Sequence, residues 1–456
     1  MKSIKYIAAV LLACLAASCT EDDYVIPTGS DSVPTESRPV KVMRNSDGQW
    51  KLFVGDEPYY VNGAATNRYY TDVRKFGGNT IRLYSPKDDD TREIMDNAYK
   101  AGLMVYLGLG MSAAKYLDYS DAAKVAAQKE SVLEYVRQYK NHPALLCWSL
   151  GNEIEASNDN NAQLWQAVGD LAKAIKELDG NHPVTCALAG AGEARVKNLV
   201  QYAPDVDFIS VNSYYPSVSS IGKNLSDYGV DLPFMVTEFG PRGTWAMGPE
   251  PERILPWNDY YSSDSSALVE ETSTEKEAVY RQIWENDIKA YESKGCLGSF
   301  AFVWGYQTHG EVLNWYAFFT VDHYSYGVCD VMQKCWTGEW PAARAPRIES
   351  RKDMTMNGLT AEQAIKVAVG SSNTARVTAN ASTEVNLRYQ WMIYRESDHK
   401  SDGSMPDGIA DLFADNTLPE VSFKAPSSPG AYRLYVFVLD DVNKKAASAC
   451  IPFYAE

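Results

Sequence analysis

Residues 145–153 read Leu-Leu-Cys-Trp-Ser-Leu-Gly-Asn-Glu, an apolar run that stops on an amide and a carboxylate. A short run of this kind, broken by a glycine, predicts a buried β-strand. Burying a charged group is costly unless it is paired, so Glu153 directly after the run is poorly explained by stability. The same pattern recurs where Phe234–Thr237 is followed by Glu238. We interpret both carboxylates as candidates for chemistry at strand ends. A structural hydrogen-bond acceptor is the alternative for either one alone.

These two runs belong to a series of eight apolar segments with helix-like segments between most of them. The strand candidates are Tyr59–Asn62, Thr80–Tyr84, Met104–Leu109, Leu145–Leu150, Val184–Leu188, Phe208–Val211, Phe234–Thr237 and Ser299–Val303. The clearest helices are Thr91–Ala101, Ala122–Tyr139, Ala162–Leu178 and Thr274–Ser293. This alternation predicts an α/β fold, a (β/α)8 TIM barrel, whose function resides at the carboxyl ends of the strands. An open doubly wound sheet is the alternative, weakened because no dinucleotide-binding glycine pattern follows the first strand.

The chain has 456 residues, enough for a barrel and one smaller module. We assign residues 1–19 to a lipoprotein signal peptide, 20–38 to a flexible tether, 39–346 to the catalytic barrel and 347–456 to an immunoglobulin-like β-sandwich. Val40–Val54 has the pattern of a hairpin. The strand-like segments of the last part are Ala364–Val369, Ala375–Ala379, Leu387–Arg395, Glu420–Lys424, Ala431–Leu439 and Ala447–Tyr454. The role of this module is open between carbohydrate binding and a spacer or packing function.

The N-terminus has the pattern of an export signal. Lys2 and Lys5 precede the apolar run Ile7–Leu15, which is too short to span a membrane as a permanent helix. Residues 16–19, Ala-Ala-Ser-Cys, resemble the bacterial lipobox, in which the cysteine is lipidated, and the acidic residues after Cys19 resemble the tag of surface-exposed lipoproteins. The resemblance implies a protein anchored by lipid in the cell outer membrane and exposed at the surface. A plain secretory signal without an anchor is the alternative.

Charge and cysteine usage exclude some functions. The formal net charge is −16 and no Lys/Arg-rich run is present, so nucleic acid is not an expected partner. Beyond Cys14 and Cys19, only Cys329 and Cys335 lie close in sequence, and export would permit a disulfide between them, although the spacing does not decide it. No Cys/His cluster has the spacing of zinc ligands, so we expect neither a metal nor a cofactor.

The two strand ends also carry a resemblance to known enzymes. Gly151-Asn152-Glu153 and Thr237-Glu238-Phe239-Gly240 are similar to the acid/base and nucleophile motifs of clan A retaining glycosidases, in the expected order on strands four and seven. The similarity covers roughly residues 40–345. It implies double displacement, in which Glu238 attacks the anomeric carbon and Glu153 acts first as an acid and then as a base.

The same resemblance implies roles for four further residues. Arg82 would keep Glu238 ionised, and Tyr214 would hydrogen-bond the same carboxylate. Asn152 would contact the sugar 2-hydroxyl, and Trp304 would form the floor under the sugar. The alternatives are a surface salt bridge for Arg82, a loop aromatic for Tyr214, a strand-end cap for Asn152 and barrel core for Trp304.

A long loop after Glu238 holds further aromatic residues, and long loops are often functional. The rings that could line additional sugar subsites are Trp245, Trp257, Tyr260 and Tyr261. Further candidates for the cleft, without an assigned role, are Asn67, Arg68, His309 and Trp315.

Within clan A, Asn62-Gly63 and Gly78–Arg82 resemble family 2 barrels and β-1,3-glucanosyltransferases, and the layout of barrel plus module resembles family 158 endo-β-1,3-glucanases. The N-terminal sandwich usual in family 2 is missing, which argues against a standard exo-acting galactosidase or glucuronidase. We therefore expect an endo-β-1,3-glucanase acting on an oligo- or polysaccharide. The alternatives are a transglycosylase using the same site and a surface glycan-binding lipoprotein that has lost catalysis.

Overall fold

The computed structural model describes residues 33–66, 68–86, 90–257, 268–307, 314–396 and 408–456. It begins with a small antiparallel sheet of β1 (Val40–Arg44), β2 (Trp50–Val54) and β3 (Glu57–Tyr59). The backbone of Val40 bonds to Asn181, and side chains of the sheet pair with Asp231 and Glu292. Since these three partners precede barrel strands, the sheet lies at the amino-terminal end of the barrel.

Eight parallel strands then close into a barrel. In chain order they are β4 (Val61–Thr66), β5 (Thr80–Leu83), β6 (Met104–Leu109), β7 (Leu145–Asn152), β8 (Val184–Ala189), β9 (Ile209–Asn212), β10 (Phe234–Phe239) and β11 (Cys296–Trp304). Each strand pairs with its sequence neighbour, and β11 closes the barrel by pairing with β4. The TIM barrel prediction is therefore confirmed, and the open sheet is excluded. The first predicted strand was placed too early, because Tyr59 ends β3 and the barrel strand begins at Val61.

Helices surround the barrel: α1 (Asp72–Lys75), α2 (Asp90–Lys100), α3 (Ala122–Tyr139), α4 (Ala162–Leu178), α5 (Glu193–Tyr202), α6 (Ile221–Asp227), α7 (Ser273–Gln282) and α8 (Gly327–Thr337). Asp121 caps α3 and Asn161 caps α4, each accepting hydrogen bonds from the first-turn N–H groups. The predicted helix Thr274–Ser293 is instead α7 followed by a π turn at Ile283–Ile288 and a 3-10 segment at Lys289–Lys294.

The strands are buried on both faces, as in other sheets covered by helices. Inside the barrel, the rings of Tyr106 and Phe300 meet edge to face with centroids 5.2 Å apart. The Tyr106 hydroxyl donates to Ser149 Oγ at 2.8 Å, which satisfies a buried polar group. The interior is therefore a packed core, and the open carboxyl end of the barrel is the place where polar groups collect.

The C-terminal part contains two sheets. The first consists of β12 (Ser325–Tyr326), β14 (Lys366–Val367), β16 (Arg388–Arg395), β18 (Gly430–Asp440) and β19 (Lys445–Ala455), and the second of β13 (Met354–Met356), β15 (Ser372–Val377) and β17 (Glu420–Lys424). The six predicted strands correspond to β14 to β19, whereas the two- and three-residue strands β12 and β13 were missed. Two packed sheets are thus observed, while their immunoglobulin-like character and the domain limits stay predictions.

Strand β18 is buried on both of its faces. Leu434, Val436 and Val438 face the core between the two sheets, whereas Tyr435 and Phe437 belong to the core of the barrel. Glu270, just before α7, accepts bonds from Lys276 Nζ at 2.5 Å, the Tyr435 hydroxyl at 3.1 Å and the Cys450 thiol at 3.4 Å. The module therefore packs against the barrel through apolar side chains and a buried, paired carboxylate.

The remaining expectations concern cysteines and membranes. Cys329 and Cys335 are free, buried thiols on α8, so the disulfide that export would permit is not formed. Six residues of helix correspond to a rise of about 9 Å, beyond the reach of a disulfide. Among the described residues, no helix combines the length and apolar character needed to cross a bilayer. Cys19 and the rest of the predicted signal lie outside the described residues.

Candidate active site

The carboxyl end of the barrel centres on Glu238, the fifth residue of β10, which is only 5% exposed. Its Oε1 accepts hydrogen bonds from Arg82 Nη1 at 3.0 Å and from the Tyr84 hydroxyl at 2.9 Å. Its Oε2 accepts from the Tyr214 hydroxyl at 2.5 Å. Arg82 and Tyr214 thus contact Glu238 as the sequence predicts. Tyr84 was missed as a partner, although it ends the strand segment predicted from the sequence.

The environment of Glu238 contains opposing electrostatic effects. Burial raises the pKa of its carboxyl above the ordinary value, and the nearby charge of Glu153 adds to this increase. The Arg82 guanidinium and the hydroxyls of Tyr214 and Tyr84 lower the same pKa, because they stabilise the carboxylate. Each of the three donors is aimed at an oxygen that carries negative charge when Glu238 is ionised.

Arg82 is held in place by more than its ion pair. Its guanidinium is almost fully buried, and Nη1 also donates to Thr237 O at 2.7 Å and Asn212 Oδ1 at 3.0 Å. Nη2 donates to Asn152 Oδ1 at 2.7 Å. The cation also lies 4.4 Å from the ring centroid of Tyr84. Arg82 therefore connects the ends of β5, β7, β9 and β10. Because it is buried, the alternative of a surface salt bridge is excluded.

Asn212 links the two glutamates, and sequence reasoning assigned it no role. Its Nδ2 donates to Glu153 Oε1 and to Asn152 Oδ1, both at 2.9 Å. Its Oδ1 accepts from Arg82 and, at 2.8 Å, from Thr237 Oγ1. A hydrogen-bonded chain thus runs from Glu153 through Asn212 and Arg82 to Glu238. Asn212 is the last residue of β9 and lies two residues before Tyr214, and this position could have identified it from the sequence.

Glu153 lies in the turn after β7 and is half-buried. It has a positive φ of 51°, a conformation that is uncommon for residues other than glycine and frequent at functional sites. Its backbone N–H donates to Ala187 O at 2.8 Å, which fixes the turn on β8. Asn212 occupies Oε1, and Oε2 accepts no hydrogen bond from the described residues. This second oxygen is available to an external partner.

Glu155 follows Glu153 by two residues in the same turn and is a buried carboxyl that no sequence motif identifies. It is 0% exposed, and its Oε1 accepts from the backbone N–H of Ala189 at 2.8 Å. Among the described residues, the cation near it is Arg195, which lies 3.5 Å away and bonds more closely to Asp159. Burial raises the pKa of Glu155 to about 7, and the charge of Glu153 contributes to the increase.

The predicted role of Trp304 is wrong. Its ring is 0% exposed, and its indole N–H donates to Tyr69 O at 3.1 Å. It packs among Phe76, Phe318, Phe319 and Trp336, so neither face is free for a sugar. The alternative reading, barrel core, is the observed one. The partly exposed aromatic at the end of β11 is Phe302, whose ring meets Tyr214 edge to face at 5.8 Å.

The other candidate cleft residues separate into distinct environments. Trp315 is buried and donates to Arg242 O at 2.9 Å, and Trp257 is buried against Tyr454 of the C-terminal sheet. Arg68 is exposed, with its guanidinium 4.3 Å from the ring centroid of Tyr306, and Trp245 is 57% exposed. The candidates Asn67, Tyr260, Tyr261 and His309 lie outside the described residues. Within the described part of the chain, no group of three or more His, Cys, Asp or Glu residues could hold a metal ion.

Comparison with known proteins gives a partial match. The family model described as "Glycosyl hydrolases family 2, TIM barrel domain" matches residues 79–255, which include Glu153 and Glu238. A beta-glucuronidase from Sus scrofa is 26% identical over 225 residues, which cover 45% of this chain and 30% of the relative. Mannan endo-1,4-beta-mannosidase A from Aspergillus aculeatus is 31% identical over 91 residues, 20% of this chain and 24% of the relative. The chain thus spans less than a third of these relatives.

Among solved structures, Bacteroides uniformis beta-glucuronidase 2 covalently bound to cyclophellitol-6-carboxylate aziridine aligns with a TM-score of 0.48 at 13% identity. The alignment covers 91% of this chain and 48% of that chain. The match of the family model to residues 79–255 makes the barrel segment similar to family 2 glycosidase barrels. The resemblances to β-1,3-glucanosyltransferases and to family 158 stay predictions.

The raised pKa of Glu155 predicts a pH dependence of stability. In the unfolded chain this carboxyl loses its proton near its ordinary pKa of 4.5, whereas the folded protein keeps the proton to about pH 7. The unfolded state therefore binds fewer protons in this window, and the stability contribution of Glu155 falls as pH rises through it. Glu155→Gln removes this effect, so its free energy of unfolding relative to wild type should increase between pH 4 and pH 8, by up to about 3 kcal/mol.

Urea denaturation at both pH values measures this difference. Glu193→Gln is the matched control, because Glu193 is an exposed carboxyl on α5. A pH-independent difference between Glu155→Gln and wild type would contradict the assignment.

Proposed function

We propose that this protein hydrolyses β-glycosidic bonds with retention of configuration, using Glu238 as the nucleophile and Glu153 as the acid/base. The observation that carries the proposal is the hydrogen-bonded chain that joins the two carboxyls through Asn212 and Arg82 at the carboxyl end of the barrel. The similarity of residues 79–255 to family 2 glycosidase barrels supports the same assignment. The two carboxyls differ in their surroundings, and this difference suits them to different roles.

In the first step, a Glu238 oxygen bonds to the anomeric carbon while the bond from that carbon to the leaving oxygen breaks. Glu153 gives its proton to the leaving oxygen, for which Oε2 has no competing partner among the described residues. Arg82, Tyr84 and Tyr214 hold the carboxylate in place before the attack. These donors are already in place, so they need little reorganisation during the reaction. They stabilise and orient the carboxylate in place of bulk water.

In the second step, Glu153 is a carboxylate and removes a proton from an incoming water molecule. The water oxygen bonds to the anomeric carbon, and the ester bond to Glu238 breaks. Asn212 remains bonded to Glu153 Oε1, so the residue can change protonation on its other oxygen without losing its position. An incoming sugar hydroxyl in place of water gives transglycosylation through the same step.

We further propose a β-glucan as the substrate, with endo-β-1,3-glucanase activity as the specific form to test. The relatives named above are beta-glucuronidases and mannan endo-1,4-beta-mannosidases, so the screen must be broader than glucans. Laminarin, mixed-linkage glucan, mannan, xylan and an aryl β-glucuronide cover these classes. Reducing-end release from laminarin is the expected result, and release only from another substrate would refute the β-1,3-glucan assignment. Products longer than the substrate would identify a transglycosylase.

The proposed location is the cell outer membrane, with a lipid on Cys19 as the anchor. The observation that supports this proposal is the predicted export signal, which ends in Ala-Ala-Ser-Cys. Mass spectrometry of the N-terminal peptide from the membrane fraction should detect lipid on Cys19. A mature chain that begins after Cys19 and stays soluble would exclude the anchor.

Replacing each glutamate separately tests the two roles. Glu238→Gln should lower kcat by at least about 10⁴-fold, because the nucleophile is lost. Glu153→Ala should lower it by about 10²–10⁴-fold on natural substrates and less on aryl glycosides with good leaving groups, which need no proton. Azide, which needs no general base, should restore turnover of Glu153→Ala and give a β-glycosyl azide.

Steady-state kinetics and proton NMR of the first-formed anomer measure these effects. Glu134→Gln is the control, because Glu134 is exposed on α3. Full activity of Glu238→Gln, or a product of inverted configuration, would refute the mechanism. Glycan binding by the wild-type protein without any bond cleavage would identify a binding protein instead.

Tyr84→Phe tests the electrostatics of the nucleophile. The Tyr84 hydroxyl lowers the pKa of Glu238, so its removal should raise that pKa. The acid limb of the pH profile of kcat/KM should therefore move to higher pH, because Glu238 must be ionised to react. The control is Tyr432→Phe, whose hydroxyl bonds to Ser428 O in the C-terminal module. An acid limb that stays in place or moves to lower pH would contradict this role.

A further inference from the structure

Three aromatic side chains of the described residues are exposed: Tyr116 at 78%, Trp245 at 57% and Trp340 at 37%. Tyrosine and tryptophan are enriched at binding interfaces, so each exposed ring is a candidate contact surface. The ring of Trp340 already faces the Arg344 guanidinium at 3.7 Å, and the ring of Tyr116 faces the Lys115 ammonium at 4.8 Å. In the described part of the chain no cation lies over Trp245, so its exposed surface is unexplained by packing.

Trp245 lies directly beside the catalytic residues. It belongs to the 3-10 turn Thr244–Ala246, a few residues after β10. Its ring meets the ring of Tyr214 nearly perpendicularly, at 86°, with centroids 5.4 Å apart. Tyr214 in turn donates to Glu238. Only one side chain therefore separates Trp245 from the nucleophile.

The back of the Trp245 ring rests on the chain itself. A Cβ added to Gly243 would lie 2.4 Å from Cε2 and Cζ2 of the indole and 2.8 Å from Cδ2. These adjacent ring atoms show that one face of the indole covers the backbone of Gly243, where only glycine leaves the necessary space. Since Trp245 is nevertheless 57% exposed, the exposed surface lies on the rest of the ring. The ring therefore lies at the surface, between Gly243 and Tyr214, and is not folded into the core.

The turn that carries Trp245 is anchored at both sides. Arg242 Nε pairs with Glu250 Oε1 at 2.7 Å, and Arg242 O accepts from the Trp315 indole at 2.9 Å. The backbone N–H of Ala246 donates to Gly243 O at 2.9 Å. A fixed mount of this kind lowers the entropy lost when a ligand orders the ring.

We propose that Trp245 is an aromatic platform that stacks against a second sugar ring, next to the unit that Glu238 attacks. The apolar C–H face of a pyranose fits a flat exposed indole, whose face carries partial negative charge. The ligand class is consequently a chain of at least two pyranose units, so the enzyme acts on oligo- or polysaccharides in preference to single terminal residues. The inference rests on the proposed glycosidase function and adds the residue that binds the second sugar unit.

The test compares an aryl monoglycoside with an oligosaccharide of the same sugar. Trp245→Ala should lower kcat/KM for the oligosaccharide about tenfold more than for the monoglycoside, mainly through KM. Gly243→Ala should have the same selective effect, since its Cβ displaces the ring, and Trp245→Phe should restore most of the loss. The control Trp340→Ala changes an exposed tryptophan that is stacked on Arg344 and should keep the wild-type ratio.

Each outcome decides the proposal. An equal loss on both substrates would mean that Trp245 acts only through Tyr214 and would overturn the platform. If the wild-type protein cleaves no glycan, the proposed function fails. The affinity for the same oligosaccharide, measured by calorimetry, then tests the platform separately. Weaker binding in Trp245→Ala than in Trp340→Ala would support it, and equal binding would overturn it.

Discussion

The buried ion pair between Arg82 and Glu238 is the constraint on which the site depends. A carboxylate that is 5% exposed loses most of its hydration, and this loss must be offset by a fixed cation and hydrogen bonds. Removing one member of such a pair typically costs about 3–5 kcal/mol, because the other charge is left buried and unpaired. The need to hold Arg82 in turn requires acceptors on β7, β9 and β10, and the barrel supplies them because its strands end at one rim.

The same constraint makes the two glutamates chemically unequal. Among the described residues, Glu238 accepts from three donors, which suit it to carry a charge, whereas Glu153 accepts from one and has an oxygen without a donor. Asn212 fixes the two glutamates relative to each other. It donates to Glu153 and accepts from Arg82, the cation that pairs with Glu238. Buried hydrogen-bond networks of this kind are cooperative, so the loss of one member disturbs the rest. Pre-organisation of this type is the basis of transition-state stabilisation in enzymes.

Much of the architecture could be predicted because the apolar runs of a TIM barrel are local signals. The strand Met104–Leu109 and the helices Ala122–Tyr139 and Ala162–Leu178 have the predicted limits. The rest depends on contacts between residues far apart in sequence. Tyr84 bonds to Glu238 and Asn212 bonds to Glu153, each more than fifty residues away in sequence. A local pattern therefore places these residues at strand ends but does not identify these partners.

Two further differences have physical causes. The resemblance to clan A glycosidases assigned Trp304 to the sugar, but its indole N–H donates to Tyr69 O and its ring packs in an aromatic cluster. The opposite holds for Trp245, which is 57% exposed although one face of its ring covers Gly243. The sequence does not predict the direction of a side chain at a strand end. It also does not predict that backbone covers one face of a ring.

The most direct test of the central claim is to trap the covalent intermediate. A 2-deoxy-2-fluoro glycoside with a good leaving group, built on the sugar that the substrate screen identifies, should inactivate the enzyme by forming a slowly hydrolysed ester. Peptide mass spectrometry should then find the sugar on Glu238, and turnover should resume when an acceptor sugar is added. A label on Glu153 or Glu155, or no label while the enzyme still turns over its substrate, would contradict the account.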